Sequence, residues 1–436
     1  MNKPLRILPL VLAALLQPLL AAAGDPPGSA PVGANAQELA LGKTVESLLD
    51  YAKTRNPEYA AMRLEAEAVQ ERVYPAGALP DPALRVELEN MTNYGSNAGP
   101  NILPGRVGDT KYTLMQALPF WGKRDLRREA AESAAEAAQG AAGATWAEQA
   151  ARIKTSFALY FADARLIKLT REVIDLIDRI ERITQVRYAN GLVPQQDAIR
   201  VQVERTTMRN ELIELEMEQH HMQSRLNALL SRPSHSYLAE PERLRPLPVM
   251  ASLDHLTLED RLREKNPQLF TDDARIRAAE KNRDLAYKNR YPDFTVGVAP
   301  IQTRNKVNEL GLMFELNIPL QQASRRSQER DAEKMLDAAR MRRESTANQL
   351  QADLSENLVA LDAARRVEQL VQTSLLPQAE LTFQAALAGY ENGKVDFAIL
   401  LDAQRQIRKA KQDIIKTQAE QQARLADIER LIGEDI

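Results

Sequence analysis

Leu118-Pro119-Phe120-Trp121-Gly122-Lys123 opens the longest helical run in this sequence. From Arg124 to Tyr188 there is no proline and the helical pattern is almost unbroken. At 1.5 Å rise per residue the run spans on the order of 100 Å, far more than a globular helix needs. It stops at Arg187-Tyr188-Ala189-Asn190-Gly191, because Asn-Gly favours a left-handed turn. Beyond Pro194 a second helix returns from Gln195 to about Leu230. The construction recurs later. Ile318-Pro319-Leu320 launches a helix from about Ser324 that reaches Gly389-Tyr390-Glu391-Asn392-Gly393 and returns to Ile432. Two very long helical hairpins therefore dominate the chain.

The segments before each hairpin repeat as well. Asn56-Pro57 and Asn266-Pro267 lie 210 apart, as do Pro82 and Pro292 and the helix-opening phrases Ser47-Leu48-Leu49-Asp50 and Thr257-Leu258-Glu259-Asp260, which read as capping boxes. Pro119 and Pro319 lie 200 apart; the tips and the pair Leu229 and Leu431 lie 202 apart. Matching breaks in the same order mark a duplicated half and not a short-period solenoid. Between the short helices and each hairpin, apolar and polar residues alternate with strand period, as in Leu84-Arg85-Val86-Glu87-Leu88-Glu89. The resulting division is a leader at 1–23, a loose arm at 24–42, a first repeat at 43–230, a linker at 231–254 and a second repeat at 255–436. Strands fall at about 83–92, 111–118, 293–299 and 309–318, and the hairpins at 124–230 and 324–432. A Gly- and Pro-rich loop, Asn93 to Asp109, joins the first two strands.

Met1 to Ala23 reads as a cleaved signal peptide, with Lys3 and Arg6, an apolar core and Ala21-Ala22-Ala23. No later stretch approaches ~18 unbroken apolar residues, so any membrane insertion must use strands. The chain has no cysteine, which excludes disulfides, thiolate metal sites and lipidation on cysteine. Formal net charge is −3, which gives no reason to expect nucleic acid.

Leu166, Leu169, Val173, Leu176, Ile180 and Ile183 are spaced 3,4,3,4,3, a coiled-coil seam. Leu212, Leu215, Gln219, Met222, Leu226 and Leu229 repeat that spacing. In the last helix Leu400, Ile407 and Ile414 alternate with Ala403, Ala410 and Thr417. From Ala130 to Ala151 nearly every apolar residue is alanine, so this stretch must lie close beside its neighbours, as in a thin wall. A rod-like coiled coil explains the helices but not the four strands. Each strand has the length and alternation of a transmembrane β-strand. Four cannot close a barrel, and an open edge is intolerable in lipid, so several chains must pool strands. Eight from two chains leave a filled interior; twelve from three leave room for a channel. A small soluble sheet capping the helices is the other reading of the strands.

With these elements placed, the chain resembles the TolC-like family of outer-membrane efflux channels from about Thr44 to Ile432. The resemblance rests on the duplicated element order, on Leu118-Pro119-Phe120-Trp121-Gly122-Lys123, and on the tips Tyr188-Ala189-Asn190-Gly191-Leu192 and Tyr390-Glu391-Asn392-Gly393. It implies a mainly α fold with a small β part, in which a homotrimer joins a helical barrel across the periplasm to a shared twelve-stranded barrel in outer-membrane lipid. It also implies a periplasmic adaptor and an inner-membrane pump of the resistance–nodulation–division or ABC type. The tips Asn190, Gly191, Leu192, Asn392 and Gly393 would dock the adaptor. Phe120 and Trp121 would sit at the membrane interface. Tyr390 and Asp197 match family positions that hold the duct shut. Of the family's two lumenal carboxylate positions, one is Asp402 and the other is Ile399. Asp396 replaces a usual basic residue, so the latch must be wired differently. The launch phrase looks most like the branch serving heavy-metal cation pumps.

Chemistry is conspicuous by its absence from the pattern. There is no phosphate loop, no His-Glu-x-x-His and no nucleophile elbow, and the sequence predicts neither enzyme activity nor a cofactor nor a bound metal. His220 and His221 are adjacent on a helix and point apart. The reading is a passive exit duct for metal cations or small toxic compounds. A structural or adhesive coiled-coil protein and the duct of a type I protein secretion system are the alternatives.

Overall fold

The computed structural model describes residues 40–91, 108–249, 253–303 and 306–436. The leader, nearly all of the arm, most of the 93–109 loop and residues 250–252 of the linker lie outside the described residues. In chain order the elements are α1 (Val45–Arg55), α2 (Pro57–Glu71), α3 (Val73–Gly77), β1 (Ala83–Glu89), β2 (Asp109–Leu118), α4 (Lys123–Ala189) and α5 (Gln195–Leu229). The second half gives α6 (His255–Lys265), α7 (Pro267–Lys288), β3 (Asp293–Thr303), β4 (Lys306–Asn317), α8 (Gln322–Leu370), a π turn (Val371–Leu375), α9 (Leu376–Glu391) and α10 (Phe397–Ile432).

The duplication is visible in individual hydrogen bonds. Asn56 caps α2 by accepting from the Tyr59 N–H at 3.0 Å, and its amide donates to the Leu229 carbonyl at 2.9 Å. Asn266 caps α7 by accepting from Gln268 and Leu269, and donates to Leu431 at 2.7 Å. Each asparagine thus fastens the start of a short helix to the end of its repeat's return helix. The proline that follows fits the first turn of a helix, where an N–H would be unpartnered anyway.

Two local readings are corrected. The expected capping boxes do not form. Helix α1 begins at Val45, and Ser47 Oγ donates to the Thr44 carbonyl at 2.6 Å instead of capping. Helix α6 is capped by Asp254, whose carboxylate accepts from the Thr257 N–H at 3.0 Å. The second outgoing helix is not continuous. Pro377 lacks an N–H and crowds the carbonyl four residues back, and the Leu376 N–H reaches five residues back to Val371.

The four strands form one antiparallel meander in the order β1-β2-β3-β4, with β1 and β4 as edges. Below it the helices follow one another in rows. In the half nearer the sheet the order is α2, α4, α7, α8; in the far half it is α5, α4, α10, then α8 with α9. At every height one edge of the chain comes from the first repeat and the other from the second. Helix α4 holds the middle. Its alanine-rich part lets α7 approach so closely that a Cβ on Gly140 would lie 2.8 Å from the Phe270 ring. Further down, Ile153, Phe157 and Tyr160 pack on Met222 and Leu226 of α5. A buried ionic knot joins the repeats: Glu429 accepts from Lys154 and from Arg245, each at 2.7 Å.

Candidate gate and membrane face

The register of the meander sorts its side chains onto two faces. Leu84, Leu114, Val298 and Leu312 form one cross-strand rung, and Val296 pairs with Phe314 on the same face. Leu84, Val86, Leu114, Val296, Val298, Leu310, Leu312, Phe314 and Leu316 are all exposed. Every charged residue of the four strands falls on the opposite face: Arg85, Glu87, Glu89, Asp109, Lys111, Asp293, Glu309 and Glu315 by alternation, and Lys306 through the register shift between Ile301 and Gln302. One face is thus wholly uncharged and the other carries every ion.

The launch phrase ties the sheet to α4. Asp293 accepts from the Phe120 N–H and from the buried Lys123 ammonium, both at 2.8 Å, and Lys123 also donates to the Tyr291 carbonyl at 2.9 Å. Gly122 takes φ of 78°, which a side chain would oppose. Phe120 stacks on Tyr291 at 4.6 Å between ring centroids. Trp121, largely exposed, tilts onto Phe294 at 5.3 Å and so continues the apolar face of the sheet.

At the far end the two tips are built alike. Gly191 and Gly393 have φ of 69° and 68°. The Leu192 N–H donates to Arg187 and the Lys394 N–H to Gly389, each at 2.8 Å, closing the same glycine-terminated helix cap. Asn190 and Asn392 each return their amide to the carbonyl four residues back. Leu192, Asn190 and Asn392 are exposed.

Tyr390 is buried, and its hydroxyl lies 3.3 Å from Thr184 Oγ1 on the other hairpin. The Arg187 guanidinium sits 4.9 Å from the centre of its ring, and Phe397 meets it edge-on. The expected bond from Tyr390 to Asp197 is not made within the chain. Asp197 is buried at the start of α5, and burial holds its carboxyl above the usual range; Arg200 opposes this and Asp396 adds to it. Asp396 stands exposed at the N-cap of α10 without a capping bond. Asp402 is exposed one turn into α10 and accepts from Gln406 at 2.8 Å. Ile399 beside it is exposed. Sequence reasoning missed the cross-hairpin pairs above the tips. Buried Glu204 takes a two-pronged bond from Arg405, and Glu211 accepts from Arg408 and from Gln412. The only available signal was sign, since both pairs set an α5 acid against an α10 arginine.

Among the described residues no group of three His, Asp or Glu could hold a metal ion, and no helix is long and apolar enough to cross a membrane. The arrangement sets an uncharged sheet face and a charged sheet face at one end and polar hairpin tips at the other.

The family model described as "Outer membrane efflux protein" matches residues 48–232 and 258–434. The cobalt-zinc-cadmium resistance protein CzcC of Cupriavidus metallidurans is 27% identical over 437 residues, covering 98% of this chain and 99% of that protein. Among solved structures, a membrane protein from Pseudomonas aeruginosa superposes with a TM-score of 0.77 at 18% identity, covering 95% of this chain and 97% of that one. The outer membrane protein VceC of Vibrio cholerae superposes with a TM-score of 0.75 at 16% identity, covering 90% and 96%.

Proposed function

The chain belongs to the outer membrane efflux protein family, whose members are non-enzymatic transport ducts, and on that premise we propose that three copies of it form the passive exit duct of a tripartite metal-cation efflux system. The observation that carries this reading is the partition of the sheet. Nine charges share one face, the other face is apolar and exposed, and both sheet edges are open. Such a sheet is unstable in water and unstable in lipid as a single copy. Because β1 and β4 run antiparallel, β4 of one copy can pair with β1 of the next and keep the antiparallel alternation. Three copies close twelve strands with the charges toward the lumen. The helical rows present the same two edges, so one rotation closes every height at once.

Exposed apolar side chains mark those edges. Ile199, Val203, Ile213 and Met217 lie on α5; Val359, Val367 and Leu370 lie on α8, and Leu381 on α9. Contiguous exposed apolar surface of this kind is an interaction surface. In this reading the signal peptide is cleaved, the barrel sits in the outer membrane, and the tips meet a periplasmic adaptor and a resistance–nodulation–division pump. Metal cations as cargo follow from the name of the Cupriavidus relative and from the acidic excess on the charged sheet face, six carboxylates to three bases.

The test is assembly. The protein in detergent should be trimeric. Val86→Asp with Leu88→Asp should abolish outer-membrane insertion, since each charge costs about 2–4 kcal/mol near the bilayer midplane. Normal insertion of that double variant would refute the assigned lipid face. Loss of cobalt, zinc or cadmium tolerance in a strain lacking the protein would support the cargo, and unaltered tolerance to all three would remove it.

A further inference from the structure

We infer that the junction between copies is specified by a reversal of charge and of size relative to the junction inside the chain. The inference rests on the duct reading and names the residues that join its subunits. Inside the chain, α7 lies against α4. Lys281 pairs with Glu129 at 2.7 Å, Arg277 pairs with Glu136 at 2.5 Å, and the space beside Gly140 is taken by Thr271 Oγ1 and by the edge of the half-exposed Phe270 ring. Acids and the small residue are on α4; bases and the large residue are on α7.

The repeat carries this junction onto the free edges. Helix α2 corresponds to α7 at an offset of 210, fixed by the matching Asn56 and Asn266 clamps. Ala60, Glu67 and Glu71 therefore occupy the places of Phe270, Arg277 and Lys281. Helix α8 corresponds to α4 at about 201 in this half. The offset is 200 at the launching prolines and 202 at the tips, and Arg325 reaches the Asn289 carbonyl as Arg124 reaches that of Gly77. Arg330, Asp337 and Met341 then take the places of Glu129, Glu136 and Gly140.

On the free edges the signs and sizes are exchanged. Glu71 stands where a lysine stood and Arg330 where a glutamate stood. Ala60 replaces the large ring, and Met341, 61% exposed, replaces the glycine. Among the described residues neither Glu71 nor Arg330 is in a salt bridge, and both are exposed. The middle position is mixed: Glu67 meets Asp337, with Lys334 beside it at 3.5 Å from that aspartate. The occupant of each edge is thus a second copy, with Glu71 against Arg330 and Ala60 against Met341. The exchange also rejects wrong junctions. Docking α2 onto an α4-type surface would set Glu71 against Glu129, and α7 onto α8 would set Lys281 against Arg330. Like charges in register are a means of excluding such pairings.

The experiment uses the whole protein in native outer membranes. The chain has no cysteine, so Glu71→Cys with Arg330→Cys gives the only thiols. Mild oxidation should link copies into a covalent ladder up to trimer on denaturing gels. Each single variant should stay monomeric after denaturation, and Glu71→Cys with Ser345→Cys, about four helical turns along α8, should link poorly. A wild-type-like trimer whose Glu71/Arg330 cysteine pair fails to link would overturn this junction while leaving the duct intact. A wild-type protein that is monomeric would overturn the duct reading and this inference together. Independently, Glu71→Lys should lower the yield of trimer, and adding Arg330→Glu should recover it. If the double charge swap is no better than Glu71→Lys in a protein that folds, the reversal does not specify the junction.

Discussion

Helix α4 and the rod made of α8, the π turn and α9 are the same segment of a duplicated unit, yet they behave differently. Helix α4 is unbroken for 67 residues, and 29 of them are buried. Of the 49 residues of α8 only seven are buried, and Met335, Val359, Val367 and Leu370 are exposed. The difference follows from position in the row. A central helix meets neighbours from its own chain on both sides, so its small and apolar residues are covered at once. An edge helix has a neighbour on one side only and keeps an apolar side uncovered within its own chain. Duplication supplied two equal rods, and their places in the wall set what each could become.

The largest effects separate those two roles. Phe157→Ala in α4 should cost about 3–5 kcal/mol and lower the unfolding midpoint at every protein concentration. Val359→Ala in α8 should act through assembly, so its effect on the midpoint should depend on concentration. A concentration-independent loss for Val359→Ala would mean that α8 is covered within its own chain.

Asp163 gives the next test, because it sits buried on the central helix. Burial first, then Glu218, pushes its carboxyl up to about 6. The fold therefore binds this proton more tightly than the unfolded chain does. The contribution to stability is full below the unfolded value near 4 and is lost as pH rises through about 6. Above pH 7 the buried charge should cost up to about 2–3 kcal/mol. Asp163→Asn should raise the melting temperature at pH 8 and leave it unchanged near pH 4. Equal shifts at both values would show that titration is not the cause.

At the tips the two rods meet, and the expected effects are smaller. Tyr390→Phe removes the hydroxyl contact with Thr184, about 0.5–1.5 kcal/mol, and should raise single-channel conductance in the absence of a pump. Thr184→Val should add little to it, since both changes delete one bond. If Asp197→Ala proved non-additive with Tyr390→Phe instead, the latch would run through the carboxylate. The smallest effect belongs to Asp402→Asn, which should weaken cation preference and block by multivalent cations in planar bilayers. Unchanged selectivity and block would place the constriction elsewhere.

The tips, the strands and the duplication were legible because each depends on a local rule. Gly191 and Gly393 are required by a left-handed backbone, and the alternation through Leu84–Glu89 survives in any sheet. The partner of Tyr390 was not legible, because it depends on the relative phase of two helices from different hairpins. Thr184 differs from other threonines only in where α4 sets it. The π turn did leave a sign in the sequence, Pro377. The second capping box failed for a nearer reason: Asp254 starts the helix three residues before Thr257, and its carboxylate accepts both the N–H and the hydroxyl of Thr257.

The asparagine clamps also bear on how the chain reaches its fold. Asn56 is 173 residues from its partner Leu229, and Asn266 is 165 from Leu431. Closing loops of that length costs entropy before any contact rewards it, and folds dominated by distant contacts form slowly. The hairpins can zip locally from their turns, but neither short helix can be fastened until the last turn of its repeat exists. A polypeptide stopped anywhere short of Leu229 would leave the Asn56 amide without this carbonyl, so the clamp can close only once the final residues of its repeat have arrived.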